Sequence, residues 1–151
     1  MEELLGFEKD NQGNDVSVYF CQHEGMSAEL TAFFARQWAE LLDSGFATSN
    51  YLPSITNCRC IYVKCDNKIV GLRIWNWANP ITTNIILTAV DKDYRRRGLF
   101  SIIIDYYDRR FNDKQIISKT FIHVDNTVML EAAKKNGYSA EFLKMVKKYN
   151  L

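Results

Sequence analysis

The stretch Ile85-Ile86-Leu87-Thr88-Ala89-Val90-Asp91-Lys92-Asp93-Tyr94-Arg95-Arg96-Arg97-Gly98-Leu99-Phe100-Ser101 decides how the chain is read. Its first half is apolar and β-branched, which favours a strand. Asp91 to Gly98 is polar and basic, as a loop should be. Beyond it Leu99, Ile102, Ile103, Tyr106 and Tyr107 recur at helical spacing, which predicts a helix from about Gly98 to Phe111. A strand therefore feeds a cationic loop, and the loop feeds a helix N-terminus. The first turn of a helix has free N–H groups and a partial positive charge, so it attracts anions. Gly98 offers room for a phosphate to approach the backbone, and Arg95, Arg96 and Arg97 add charge on the approach. Charge-assisted contacts are worth roughly 1.5–3 kcal/mol each. The Gly-x4-Gly-Lys-Ser/Thr phosphate loop and the three-glycine dinucleotide fingerprint are both missing. Taken alone, the pattern fits a pyrophosphate site and equally a solvated basic turn.

Working outward, Cys58–Lys64, Ile69–Trp77 and Thr83–Val90 read as three strands of an antiparallel meander. Asp66-Asn67-Lys68 supplies hairpin chemistry between the first two. Upstream, Val16–Cys21 alternates like a strand. Ser27 can cap a helix that carries Leu30, Phe33, Phe34, Trp38, Leu41 and Leu42 and stops at Gly45. Residues to about Asn14 are polar and read as a partly ordered arm. Downstream, Ile116–Val124 reads as a strand. Asp125 or Asn126 caps a helix closed by Gly137, and Phe142–Tyr149 reads as a last strand. The fold class is α/β (α+β): one mixed sheet with helices on its faces, in one domain over residues 1–151.

Two segments together resemble the GNAT superfamily of N-acetyltransferases. The run from Val90 through Tyr94, Arg95, Arg97 and Gly98 is similar to the family's Val-x-Pro-x-Tyr-Arg-x-x-Gly-x-Gly/Ala signature. The run from Asn126 to Gly137-Tyr138 is similar to its Asn-x10-Gly-Phe/Tyr element. The resemblance covers about residues 58–149. It implies a mostly antiparallel central sheet with a V-shaped splay between the strand ending at Val90 and the strand near His123. Acetyl-CoA would lie in that cleft as co-substrate. Its pantetheine arm would pair with backbone near Ala89 and Val90. Its pyrophosphate would sit on N–H groups from Arg96, Arg97, Gly98, Leu99, Phe100 and Ser101, with Arg95 opening the loop and Asn126 contacting the arm. A primary amine would attack the thioester directly, and a backbone N–H near Val90 would meet the oxyanion. This fold often pairs through edge strands, so a homodimer is an option.

Two departures bear on catalysis. Phe100 stands where the family usually has Gly or Ala, and Ala133 stands where many members carry a tyrosine that protonates the leaving thiolate. Candidates for acid and base are then His123, whose side chain type titrates near neutral pH, and Tyr138. Each also has a packing explanation, His123 on a sheet face and Tyr138 as the aromatic after Gly137. Arg73, Trp75 and Trp77 share one strand face, to be used by the core, an oligomer contact or an acceptor cleft.

Composition bounds the rest. A net charge of +1 gives no global argument for nucleic acid or membrane, so neither is expected as a partner. The arginine run is short for a nucleic-acid surface. Cys21, Cys58, Cys60 and Cys65 lack the paired spacing of a zinc site, so no metal is expected, and free thiols suit a reducing compartment. The first residues are acidic without a basic-apolar leader pattern, and no run of about 20 apolar residues occurs; the expected location is the cytoplasm. The expected activity is acyl transfer from acetyl-CoA to an amine. The rival is a CoA-binding module that has lost catalysis, which Ala133 favours.

Overall fold

The computed structural model describes residues 2–149. The elements run β1 (Glu2–Lys9), β2 (Asp15–Gln22), α1 (Ala28–Ser44), β3 (Arg59–Cys65), β4 (Lys68–Asn79), β5 (Thr82–Val90), α2 (Leu99–Phe111), β6 (Ile117–Thr120) and α3 (Thr127–Lys135). The six strands form one sheet in sequence order. Neighbours from β1 to β5 are antiparallel, and β5 pairs with β6 in parallel. The parallel pair needs a crossover, and α2 supplies it. This is the mixed sheet with flanking helices that the residue pattern implies.

Local chemistry explains the boundaries. The Ser27 hydroxyl accepts the Leu30 N–H at 3.1 Å and starts α1. Gly45 ends α1 in the left-handed region. Asp66 and Asn67 both have positive φ, the requirement of the two-residue hairpin turn that joins β3 to β4.

Each face of the sheet carries one apolar core. Toward α1, Leu30, Phe33, Phe34 and Trp38 pack on Cys60, Tyr62, Leu72 and Ile74. Toward α2, Leu99, Ile103 and Tyr107 pack on Phe20, Ile61, Val63 and Trp75. The aromatic stripe of α1 is thus core. Gly71 sets how closely α2 approaches, because a Cβ there would stand 2.9 Å from Ile103 Cδ1 and 3.2 Å from Val63 Cγ2.

Three expectations are corrected. The opening residues are not an arm. They form β1 on the sheet edge, where the Tyr106 hydroxyl donates to Glu8 at 2.8 Å and a Cβ at Gly6 would collide with that hydroxyl. The strand expected over 116–124 spans only Ile117–Thr120, because its pairing with β5 stops at Ile85/Thr120. Residues 142–149 do not form a strand. Phe142, Leu143, Met145, Val146 and Tyr149 are exposed, and none of the described residues supplies the inter-strand hydrogen bonds that an extended segment needs.

Candidate active site

The parallel pairing of Thr82–Ile85 with Ile117–Thr120 holds the two strands together at one end only. Beyond it the strands part. The cleft between them is lined by Ile86, Leu87 and Thr88 of β5, by Phe121, Ile122 and His123 after β6, and by residues of all three helices. Phe100, Asn126, Ala133 and Tyr138 also line it. Ala89, Val90 and the 95–101 loop continue from the β5 side.

The basic loop is braced from both sides. Arg95 donates from Nε to the Val90 carbonyl at 3.0 Å and from Nη2 to Glu40 of α1 at 2.7 Å. That ion pair is half exposed, so it is worth about 0.2–1 kcal/mol. Arg97 lies over the Tyr94 ring at 4.8 Å and donates to the Asp93 carbonyl. Arg96 is exposed and adopts a positive φ of 64°. Gly98 follows at φ 82°, and the room beside it is taken: a Cβ would stand 2.7 Å from Asn11 Oδ1. Asn11 also donates its N–H to the Arg97 carbonyl at 2.8 Å, so the β1–β2 turn buttresses the loop. Asp10 orders that turn by accepting N–H groups of Gln12 and Asn14 at 2.8 and 2.9 Å. Burial works against its charge, yet the Asn14 and Gln12 donors and the Arg97 guanidinium hold its carboxyl below the usual carboxylate value of 3.8.

No side chain caps α2. The N–H groups of Leu99, Phe100 and Ser101 open a helix preceded by three arginines, which is the donor set a diphosphate needs.

The acid and base candidates sit on the far wall. His123 Nδ1 accepts the Asp125 N–H at 3.1 Å, which leaves the proton of the neutral ring on Nε2. In this arrangement His123 offers the cleft a donor; to act as a base it must first give up that bond. Asn126 is the cap of α3, accepting the Met129 N–H at 3.3 Å. Tyr138 follows Gly137, whose φ of 88° turns the chain back into the cleft. Its hydroxyl lies 2.7 Å from Ser118 Oγ and receives Arg73 Nη1 at 3.3 Å. Ser118 continues to Tyr107 at 2.9 Å, and Tyr107 to Thr83 at 2.7 Å. Burial pushes the Tyr107 phenol up from its ordinary value, against the pull of its Ser118 and Thr83 hydrogen bonds.

Sequence reasoning placed Arg73 only on a strand face with Trp75 and Trp77. All three do face α2: Arg73 lies over the Tyr107 ring and also lines the cleft, Trp75 packs edge-on against Tyr107 and Phe111, and Trp77 packs on Phe111. The signal was a lone charge inside the apolar run Ile69–Trp75. Among the described residues no group of three or more His, Cys, Asp or Glu side chains could hold a metal ion. All four cysteines are buried free thiols, and burial raises the Cys58 thiol to about 11. No helix among the described residues is long and apolar enough to cross a membrane.

The model of the Acetyltransferase (GNAT) family matches residues 24–138. The chain belongs to the GNAT acetyltransferase family. Solved structures agree at the level of the fold. An aminoglycoside acetyltransferase from an uncultured soil metagenomic sample, in complex with trehalose, superposes at TM-score 0.60 with 14% identity, over 90% of this chain and 96% of that one. AAC(6')-Iy in complex with the bisubstrate analogue CoA-S-monomethyl-acetylneamine gives TM-score 0.56 and 14% identity over 87% and 98%. A ribosomal-protein-alanine N-acetyltransferase from Brucella melitensis biovar Abortus 2308 gives 0.59 and 11% over 89% and 99%. No curated protein sequence matches the chain. The family match supports acyl transfer as the general activity of this GNAT protein.

Proposed function

We propose that this GNAT chain, acting as one domain in the cytoplasm, transfers an acetyl group from acetyl-CoA to a primary amine by direct attack. The observation that carries the reading is the parting of β5 from β6 beyond Ile85/Thr120, beside an uncapped helix N-terminus. An extended chain of amides can pair with the open edge of β5 near Ala89 and Val90. Its diphosphate end then reaches the N–H groups from Arg96 to Ser101. The exposed Arg96 adds attraction without needing to break an internal contact. Arg95 shapes the loop from within through Val90 and Glu40. Asn126, at the start of α3, faces the same arm. The amine enters from the opposite side, and positioning supplies most of the acceleration. Tyr138 is the acid: its hydroxyl lines the cleft and is already paired to a cation. His123 orients the acceptor or the carbonyl through Nε2–H. A neighbour solved with a CoA bisubstrate analogue supports the choice of co-substrate, and the acceptors named for other neighbours, aminoglycosides and a ribosomal protein, both carry amino groups.

Calorimetry with CoA and acetyl-CoA tests the binding half. Arg96→Glu reverses one charge at an exposed position and should weaken binding at least tenfold without altering the melt. Unchanged affinity would remove the loop from the site. Release of free thiol in the presence of a panel of amines tests the chemistry. Ala133 in the cleft wall favours the second reading, a CoA-binding module without turnover; binding with no thiol release under any acceptor would establish it.

A further inference from the structure

Arg73 carries a permanent charge in a place with almost no water, being 4% exposed. Its contacts are all to neutral groups. Nε donates to Thr88 Oγ1 at 2.8 Å, Nη1 donates to the Tyr138 hydroxyl at 3.3 Å, and the guanidinium lies 4.6 Å from the centroid of the Tyr107 ring. None of the ion pairs among the described residues includes it. The exposed Asp108 on α2 feels the charge, since Arg73 pulls its carboxyl down against the rise that burial causes, but it makes no ion pair with Arg73. A buried cation with no carboxylate in ion-pair contact is costly, and such a cation is well placed to meet negative charge that develops beside it during a reaction.

The position says which charge. Arg73 and Thr88 are direct cross-strand partners on β4 and β5. Under the proposed function, on which this inference rests, the arm of acyl-CoA runs along β5 from Val90 inward, past Ala89, toward Thr88. Its thioester sulfur then comes up against the groups that Thr88 touches. We propose that Arg73 is the cation that receives the departing thiolate, while the Tyr138 hydroxyl, held between Arg73 and Ser118, delivers the proton. The amine nitrogen bonds to the carbonyl carbon, the carbon–sulfur bond breaks, and its electron pair passes to sulfur. The Tyr138 proton moves to sulfur and gives the free thiol. The phenolate left behind is met by Arg73 Nη1 and by Ser118, with Tyr107 and Thr83 turning their hydroxyls behind it. That chain ends at Thr83, which is fully buried, so it stabilises the phenolate and conducts nothing to solvent. The proton lost by the acylated nitrogen restores Tyr138 from the cleft side. This arrangement does the work that Ala133, in the same cleft wall, has no hydroxyl to do.

The thiol of bound coenzyme A reports on Arg73 without any acceptor or turnover. Thiolate absorbance is titrated in the complex of the full chain with free CoA, and the ligand-free protein is subtracted to remove the four cysteines. The titratable groups around Arg73 and the cleft are Tyr107 and Asp108 from α2, Tyr138, and His123. In the wild type the thiol pKa falls by one to three units relative to free CoA, as expected beside an opposite charge within about 4–6 Å. Arg73→Met removes the drop, Arg73→Lys retains part of it, and both still bind CoA through the loop. Tyr138→Phe keeps the drop but slows turnover at least tenfold and removes the alkaline limb of its pH profile. A wild-type complex whose thiol titrates as free CoA does overturns the proposal, and needs no folded variant. So does an Arg73→Met effect confined to substrates ending in a carboxylate, with the thiol unchanged. Failure of the wild type to bind CoA at all defeats the proposed function itself, and is distinguishable from either outcome.

Discussion

Replacing Gly98 by alanine tests the architecture of the basic loop at its tightest point. Two costs are expected. The first is the left-handed backbone, φ 82°, which a residue with a Cβ occupies at about 1–2 kcal/mol above glycine. The second is the new Cβ at 2.7 Å from Asn11 Oδ1, a contact that real side chains do not make. The obstructing atom is the end of a side chain, so Asn11 can swing aside, at roughly 0.5–1.5 kcal/mol for an off-rotamer position. The total is roughly 1.5–3.5 kcal/mol, the sum of those two terms. At about 2–4 °C per kcal/mol for a chain of this size, the melting temperature should fall by roughly 3–14 °C. Urea unfolding followed by fluorescence is suited to the measurement, because Trp38 and Trp75 are buried. Made in an Asn11→Ala background, the same substitution should cost only the backbone part, about 1–2 kcal/mol. Equal costs in the two backgrounds would show that Asn11 does not brace the loop. No cost in either would show that residue 98 is not left-handed, and the account of the loop would fail.

Further outcomes follow from other contacts. Gly71→Ala should overpack the seat of α2 and lose about 1–3 kcal/mol, and Ile103→Val should recover part of it by removing the obstructing Cδ1; an additive double mutant in denaturant titration would contradict the contact. Ser27→Ala should cost about 0.5–2 kcal/mol through the lost cap of α1, read as a lower urea midpoint. Asp10 has its carboxyl held low in the folded state, so its contribution is present above the unfolded value of 3.8 and is lost as pH falls below it. Asp10→Asn should therefore flatten the acid side of the stability profile, and a profile identical to wild type would refute the turn's role. Glu40→Ala should lower stability by no more than about 1 kcal/mol, an effect that salt erases in the wild type.

How much of this was legible depended on how local the cause was. The cap at Ser27, the stop at Gly45 and the Asp66-Asn67 turn are each decided within a few residues, and the sequence pattern found all three. The strand–loop–helix corner at Val90–Leu99 was legible for the same reason. β1 was not, because its polar residues hide a hairpin with β2 that is held in place by the Tyr106 hydroxyl, 98 residues beyond Glu8. The alternation of residues 142–149 is strand-like, but pairing needs a neighbour that a local pattern cannot supply. In the cleft, the segments bearing His123 and Tyr138 could be identified, while the tautomer of one and the Arg73 partner of the other depend on contacts across 2 and 65 residues. Gly98 was read as room for a ligand, and the structure fills that room with Asn11 from a turn more than eighty residues upstream.

The partial pairing of β5 makes it two kinds of strand in one. Up to Ile85 both of its edges are occupied; from Ile86 onward only the edge toward β4 is. Along that second half, alternate amides should exchange with deuterium at very different rates, slow toward β4 and fast toward the cleft. A guest that lays its own amides along the strand should erase the alternation, giving a footprint that registers occupancy even when no bond is made or broken.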